Sequence, residues 1–211
     1  MNAKLTAEYN HLKAQVNPHF LFNTLNSFYS ATEPVLPETA KGIMLLSDIM
    51  RYSLETGGHD GKVPLNDELL HLQYYIELMQ FRFNNELNIK GNLFSKGQLN
   101  KIELVEHWRI LPHLLITIAE NAFKHGDNSF PFEMNLTLTG QQLHFVFKNT
   151  IGLRKSISGT GIGVNNMIQR IHFTYGTDGR FISSVEESDY IAELFLTEKM
   201  VSLNNPINKA S

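Results

Sequence analysis

Cysteine is absent from all 211 residues, which excludes a disulfide framework, a thiol nucleophile and a cysteine–zinc centre, and fits a reducing compartment. No run of about 18 apolar residues occurs, so no segment reads as a membrane-spanning helix. The opening Met-Asn-Ala-Lys-Leu-Thr-Ala-Glu is polar and cannot be the core of a signal peptide. Charge of one sign is scarce too: a formal net charge of −3, with no Lys/Arg block, gives no field that would recruit nucleic acid or an anionic membrane. Repeats and low-complexity tracts are also missing. What remains, 42% apolar and 18% charged, is the composition of a folded chain with room for one ordinary domain plus a helical appendage, or two small domains.

Leu5, Tyr9, Leu12 and Val16 are spaced as a helical seam. This pattern opens without a start signal, and we expect the natural chain to extend upstream. Pro18 predicts that the helix kinks or loosens there, because it removes a backbone donor. Beyond it Phe20, Leu21, Phe22, Leu25, Phe28 and Tyr29 make the helix apolar on nearly every side, so it must be covered on every side. Pro34 and Pro37 mark a turn, and Ile43, Leu46 and Met50 restore helical spacing up to Gly57-Gly58. The result is a helical hairpin too thin to bury its own apolar surface. Asn66 is placed to cap a third helix with a seam of Leu69, Leu72, Ile76, Met79 and Phe83.

From about residue 87 the texture changes. Strands are predicted at 87–94 and 101–107, a helix at 112–125, strands near 132–139 and 142–149, a helix near 164–175, and strands near 180–186 and 190–197. Mixed in this way, they predict an α/β sandwich with helices on one face of a sheet. The fold class is therefore α+β: an N-terminal helical hairpin at 1–60, a sandwich at 61–201 and a frayed polar tail at 202–211.

Three stretches carry chemistry. In Gln15-Val16-Asn17-Pro18-His19-Phe20-Leu21-Phe22-Asn23-Thr24-Leu25-Asn26, a histidine adjoins the proline on a helix whose four amides an oily surface does not need. A lone histidine there would more simply be a packing residue. In Glu120-Asn121-Ala122-Phe123-Lys124-His125-Gly126, the polar residues lie opposite an apolar face of Leu111, Leu115, Ile118 and Ala122. An ordinary solvated face would explain any two of them. A carboxylate, an amide and a cation together also suit a magnesium-triphosphate. In Gly159-Thr160-Gly161-Ile162-Gly163-Val164-Asn165-Asn166, alternate glycines free the backbone to approach an anion ahead of a helix. Glycines in loops are usually turns, and this run is neither a dinucleotide fingerprint nor a Walker motif.

Together, in this order, the three stretches resemble the LytS-like class of sensor histidine kinases. Residues 15–26 resemble its H box, 120–126 the N box of the GHKL (Bergerat) ATP-binding fold, and 159–166 the G box. Pro64 to Phe83 resembles the linking helix of that class. The resemblance implies a phosphoacceptor at His19, a magnesium ligand at Asn121 and catalytic support from Glu120. It also implies phosphate contacts from Lys124 or His125, and a loop of Gly159, Gly161 and Gly163 closing over the triphosphate beside Thr160 and Asn166. Arg170 matches an arginine of packing or lid type. ATP and Mg2+ are the implied cofactors, and a response regulator and a homodimer through the hairpin are the implied partners. The cytoplasm is the implied compartment, for a free protein or for the cytoplasmic part of a membrane-bound sensor.

Two departures matter. Where relatives of that fold carry the adenine-recognising aspartate, this chain has Asn149, a neutral acceptor whose bond is weaker by roughly 1 kcal/mol. Where the commonest histidine kinases carry an acid after the reactive histidine, this chain has Phe20. A free imidazole is mostly neutral at pH 7 and nucleophilic without a base; Asn23, one turn on, is positioned to orient the ring. The competing readings are a pseudokinase, favoured by Asn149, and a GHKL ATPase, disfavoured by the histidine-bearing hairpin.

Overall fold

Asn17 is extended, and its side chain accepts the Phe20 N–H at 3.2 Å, capping helix α1 (Pro18–Thr32). Pro18 takes the first helical position, where an N–H would have had no partner anyway. Helix α1 therefore opens at the proline, where the sequence pattern predicts a kink or loosening. The computed structural model describes residues 17–55, 60–94, 108–152 and 162–198, so the Leu5–Val16 seam and the 101–107 run lie outside the described residues.

Helix α2 (Pro37–Glu55) folds back on α1 through a turn held by Leu36 N–H to the Thr32 carbonyl at 2.7 Å. Phe22, Ala40, Leu45 and Tyr52 are buried in this hairpin, and the Arg51 guanidinium lies 4.6 Å from the Phe22 ring centre. Phe20, Phe28, Val35 and Leu36 remain exposed.

Strand β1 (Val63–Pro64) leads directly into helix α3 (Leu65–Arg82). Here the expectation of an Asn66 cap is corrected. Pro64 holds the cap position without a side-chain bond, and the Leu65 N–H is satisfied by the Trp108 carbonyl at 2.8 Å. That carbonyl is available because β3 (Arg109–Ile110) pairs antiparallel with β1. The α3 seam of Leu69, Leu72, Ile76 and Met79 is buried, with Phe83 packed against it.

The main sheet has five strands: β2 (Ile89–Lys90), β4 (Phe132–Thr139), β5 (Gln142–Thr150), β6 (Gly179–Glu186) and β7 (Asp189–Thr197). Their order is β2-β4-β5-β7-β6, with β2 parallel to β4 and every other pair antiparallel. The strand expected over 87–94 shrinks to two residues for a local reason. Gly91 turns the chain at φ 123°, with a Cβ-bearing residue excluded because that atom would sit 1.7 Å from the Met134 carbonyl oxygen. Asn92 then binds the edge of β4 with its side chain, accepting from Leu136 N–H at 2.8 Å and donating to its carbonyl at 2.7 Å.

Burial alternates along β4, β5 and β7, so one face is buried and the other is open. Helices α4 (Leu114–His125) and α5 (Ile162–Tyr175) cover the buried face, and α3 packs on α4. Phe132, Phe145 and Phe147 meet Leu115, Ile118, Ala122, Phe123, Met167 and Ile171 in a single core. The hairpin followed by an α/β sandwich is the architecture the sequence predicts. Among the described residues, no helix is long and apolar enough to cross a membrane.

Candidate functional site

Helix α4 is amphipathic, and burying Leu115, Ile118 and Ala122 turns Glu120, Asn121, Lys124 and His125 away from the core. The C-terminal end of α4 is stitched to the end of β5. Gly126 bridges Ile151, the Asp127 N–H reaches the Thr150 carbonyl at 2.8 Å, and the Gly152 N–H reaches that of His125 at 3.2 Å. Gly126 is required at this crossing, since a Cβ would fall 2.5 Å from the Phe132 ring.

Between α4, the first turn of α5 and the β6–β7 hairpin lies a cleft of about 340 Å³. Glu120, Asn121, Lys124 and His125 all line it, as does Gly163. A Cβ at Gly163 would meet nothing within 4 Å, so the cleft is open over the start of α5. Asn165 is also a lining residue, whereas Asn166 is exposed on the same helix. Gly159, Thr160 and Gly161 lie outside the described residues.

Asn149 is 1% exposed on β5, opposite the cleft-lining Tyr190 of β7. Its Nδ2 donates weakly to the Thr150 carbonyl at 3.4 Å, but its Oδ1 has no hydrogen-bond partner. An unpaired buried carbonyl costs about 1–3 kcal/mol, so a donor arriving at this position would relieve it. The end of the strand is fixed next door: Thr150 donates to Asp189 at 2.8 Å, and Lys148 pairs with Asp189 at 2.9 Å. These contacts hold the Asp189 carboxyl below its ordinary value, the Lys148 hydrogen bond first.

His19 stands elsewhere, exposed in the first turn of α1 and not among the residues lining the cleft. The Asn23 amide nitrogen lies 3.3 Å from each of its ring nitrogens. The structure thus gathers the four α4 residues and Gly163 into one site and leaves His19 on a separate element. Arg170 is half-buried and donates to the Pro112 carbonyl at 2.8 Å, which ties α5 to the start of α4.

Four polar cleft residues were not assigned a role from the sequence. Thr117 lies one turn before Glu120 and Asn121 on the same face, a signal that was available. Asn165 adjoins the asparagine that was singled out. Ser183 and Tyr190 arrive through tertiary folding of the β6–β7 hairpin and carry no local signal.

Residues 7–87 match the family model described as histidine kinase. An uncharacterized sensor-like histidine kinase of Staphylococcus epidermidis is 30% identical over 186 residues, covering 80% of this chain and 34% of that protein. The sensor protein kinase HptS of Staphylococcus aureus is 29% identical over 187 residues, with the same coverage of 80% and 34%. The chain spans about a third of the length of these curated relatives. A solved histidine kinase domain, from the Erythrobacter litoralis EL346 blue-light activated histidine kinase, superposes loosely at a TM-score of 0.45 with 9% identity, covering 92% of this chain and 93% of that one. The residues that build α1, α2 and α3 thus match the histidine kinase family, and relatives named as histidine kinases align over most of the chain.

Proposed function

We propose that this chain is the kinase portion of a two-component sensor, which phosphorylates itself on His19 from ATP and passes the group to an aspartate of a response regulator. The observation that carries the reading is the gathering of Glu120, Asn121, Lys124, His125 and Gly163 in one cleft. The unpaired Oδ1 of Asn149 adds an acceptor suited to the adenine amino group. Asn121 offers an amide oxygen of the kind magnesium binds, Lys124 and His125 face the phosphates, and Glu120 supports transfer. Bound magnesium would neutralise phosphate charge; the residues of the cleft provide position.

His19 attacks the γ-phosphorus through the lone pair of a ring nitrogen. The N–P bond forms as the bond from phosphorus to the β–γ bridging oxygen breaks, and ADP leaves. Asn23 holds the ring from one turn away. The hairpin makes a homodimer, two copies packing as a four-helix bundle that covers Phe20 and Phe28. We assign residues 1–60 to this phosphotransfer and dimerisation unit, 61–201 to the nucleotide-binding unit, and the whole to the cytoplasm.

The test is incubation of the chain with γ-labelled ATP and magnesium, followed by acid. The expected product is an acid-labile phosphohistidine, lost in His19→Gln while a fluorescent ATP analogue still binds. Asn121→Ala lowers the labelling rate by about a hundredfold or more. An acid-stable label, or none in the wild type, refutes the reading; equal loss of labelling and binding in folded His19→Gln refutes the two-part site.

A further inference from the structure

Glu68 is a carboxylate with no exposed surface, in the first turn of α3. Burying an ionisable group is expensive unless it is fully hydrogen-bonded, and a leucine would fill the space at no such cost. Its partners come from two other elements. The Tyr52 hydroxyl near the end of α2 donates to it, as do the backbone N–H groups of His113 at 2.6 Å and Leu115 at 3.2 Å. Those N–H groups open helix α4, where His113 sits at φ 67° and makes no side-chain cap bond of its own. Glu68 is therefore the cap of α4, supplied from another helix.

Both ends of this contact lead somewhere. On the hairpin side, Tyr52 stacks on His71 with ring centres 3.8 Å apart and meets the His113 ring edgewise at 4.9 Å, so a rotation of α2 must carry the hydroxyl with it. On the other side, Thr117 donates to the His113 carbonyl at 2.6 Å and lines the cleft. Arg170 of α5 binds Pro112, one residue before His113. Burial pushes the Glu68 carboxyl up while its three hydrogen bonds pull it back toward the carboxylate.

We propose that the Tyr52–Glu68 contact is the joint that sets the hairpin, and with it His19, against the nucleotide cleft. Glu68 touches no substrate, being fully buried; it and Tyr52 are positioning residues for the transfer step. The inference rests on the kinase reading above.

The experiment uses the full chain and Tyr52→Phe, which removes one hydroxyl and keeps the ring. Three quantities are read: affinity for a fluorescent ATP analogue, the single-turnover labelling rate at saturating γ-labelled ATP, and melting followed by Trp108 fluorescence. The expected result is affinity within about twofold of wild type, with the labelling rate down by about tenfold or more, since small misplacements of reacting groups have effects of that size. Glu68→Gln should lose at least as much, and the double variant no more than the worse single one. If Glu68→Gln does not fold, Tyr52→Phe decides alone. Labelling at the wild-type rate in Tyr52→Phe overturns the joint and leaves the kinase reading intact, as does a parallel fall in affinity, rate and melting temperature. A wild-type chain that binds the analogue but never labels itself overturns the kinase reading, and the joint with it.

Discussion

In the sandwich, Phe132, Phe145 and Phe147 have no exposed surface, whereas in the hairpin Phe20 and Phe28 leave 69% and 56% of theirs exposed. The residue type is the same; the difference is whether the chain supplies its own cover. A sheet with helices on one face closes a core by itself. Two helices back to back bury a single stripe each and leave the rest of an all-round apolar surface outside. The sandwich is therefore covered from within, whereas the hairpin leaves Phe20 and Phe28 open, the surface that the proposed dimer would cover.

The sharpest way to break this contrast is Phe147→Ala. Truncating a fully buried phenylalanine costs about 3–5 kcal/mol. Trp108, the chain's single tryptophan, is buried in the same core and reports the loss as a large drop in melting temperature by fluorescence. A drop no larger than a surface substitution produces would contradict the self-sufficient core.

Phe28→Glu acts on the other side of the comparison. Sedimentation should shift from dimer to monomer at low micromolar concentration, while the Trp108 transition stays within about 0.5 kcal/mol of wild type. A wild-type chain that sediments as a stable monomer rules out the bundle.

The smallest effect is expected at Asp60, just ahead of β1. It pairs with Arg109 at 3.1 Å and accepts the Lys62 N–H at 3.0 Å. The Arg109 hydrogen bond, then that of Lys62, holds its carboxyl down to about 2 from an ordinary 3.8. A depressed acid contributes stability above its ordinary value and loses it as pH falls through the depressed one. The melting difference between wild type and Asp60→Asn should therefore be constant near neutrality and vanish between about pH 4 and pH 2. The pair is exposed and salt-screened, so the difference is small throughout.

How much of this the sequence disclosed depended on how local the cause was. The alternation along β4, β5 and β7 is local, and these strands lie within a residue or two of where the pattern puts them. The amphipathic face of α4 is local too, which is why its four polar residues were found together. Glu68 was illegible. In sequence it is one of two acids suited to the first turn of a helix, and only the arrival of Tyr52 and the start of α4 makes it a buried cap. Asn66 is misplaced for the matching reason: the helix already begins at Leu65, whose N–H is satisfied by Trp108, distant in the chain. At Pro18 the proline signal is local, whereas the capping role of Asn17 is hidden because the apolar pattern runs on through both residues.

The edge of the sheet has a consequence for the order in which the molecule assembles. Strands β4 and β5, and again β6 and β7, are hairpin neighbours whose pairing closes short loops. The parallel pairing of Ile89 with Phe132, and the clasp of Asn92 on Leu136, span a long stretch of chain that includes all of α4. Closing so large a loop is slow relative to hairpin formation. Until it closes, β4 presents an unpaired row of backbone donors and acceptors, which is a template for another strand. Aggregation of partly folded chains should begin at β4, and the two-residue strand with its asparagine clasp is the stopper that ends that hazard.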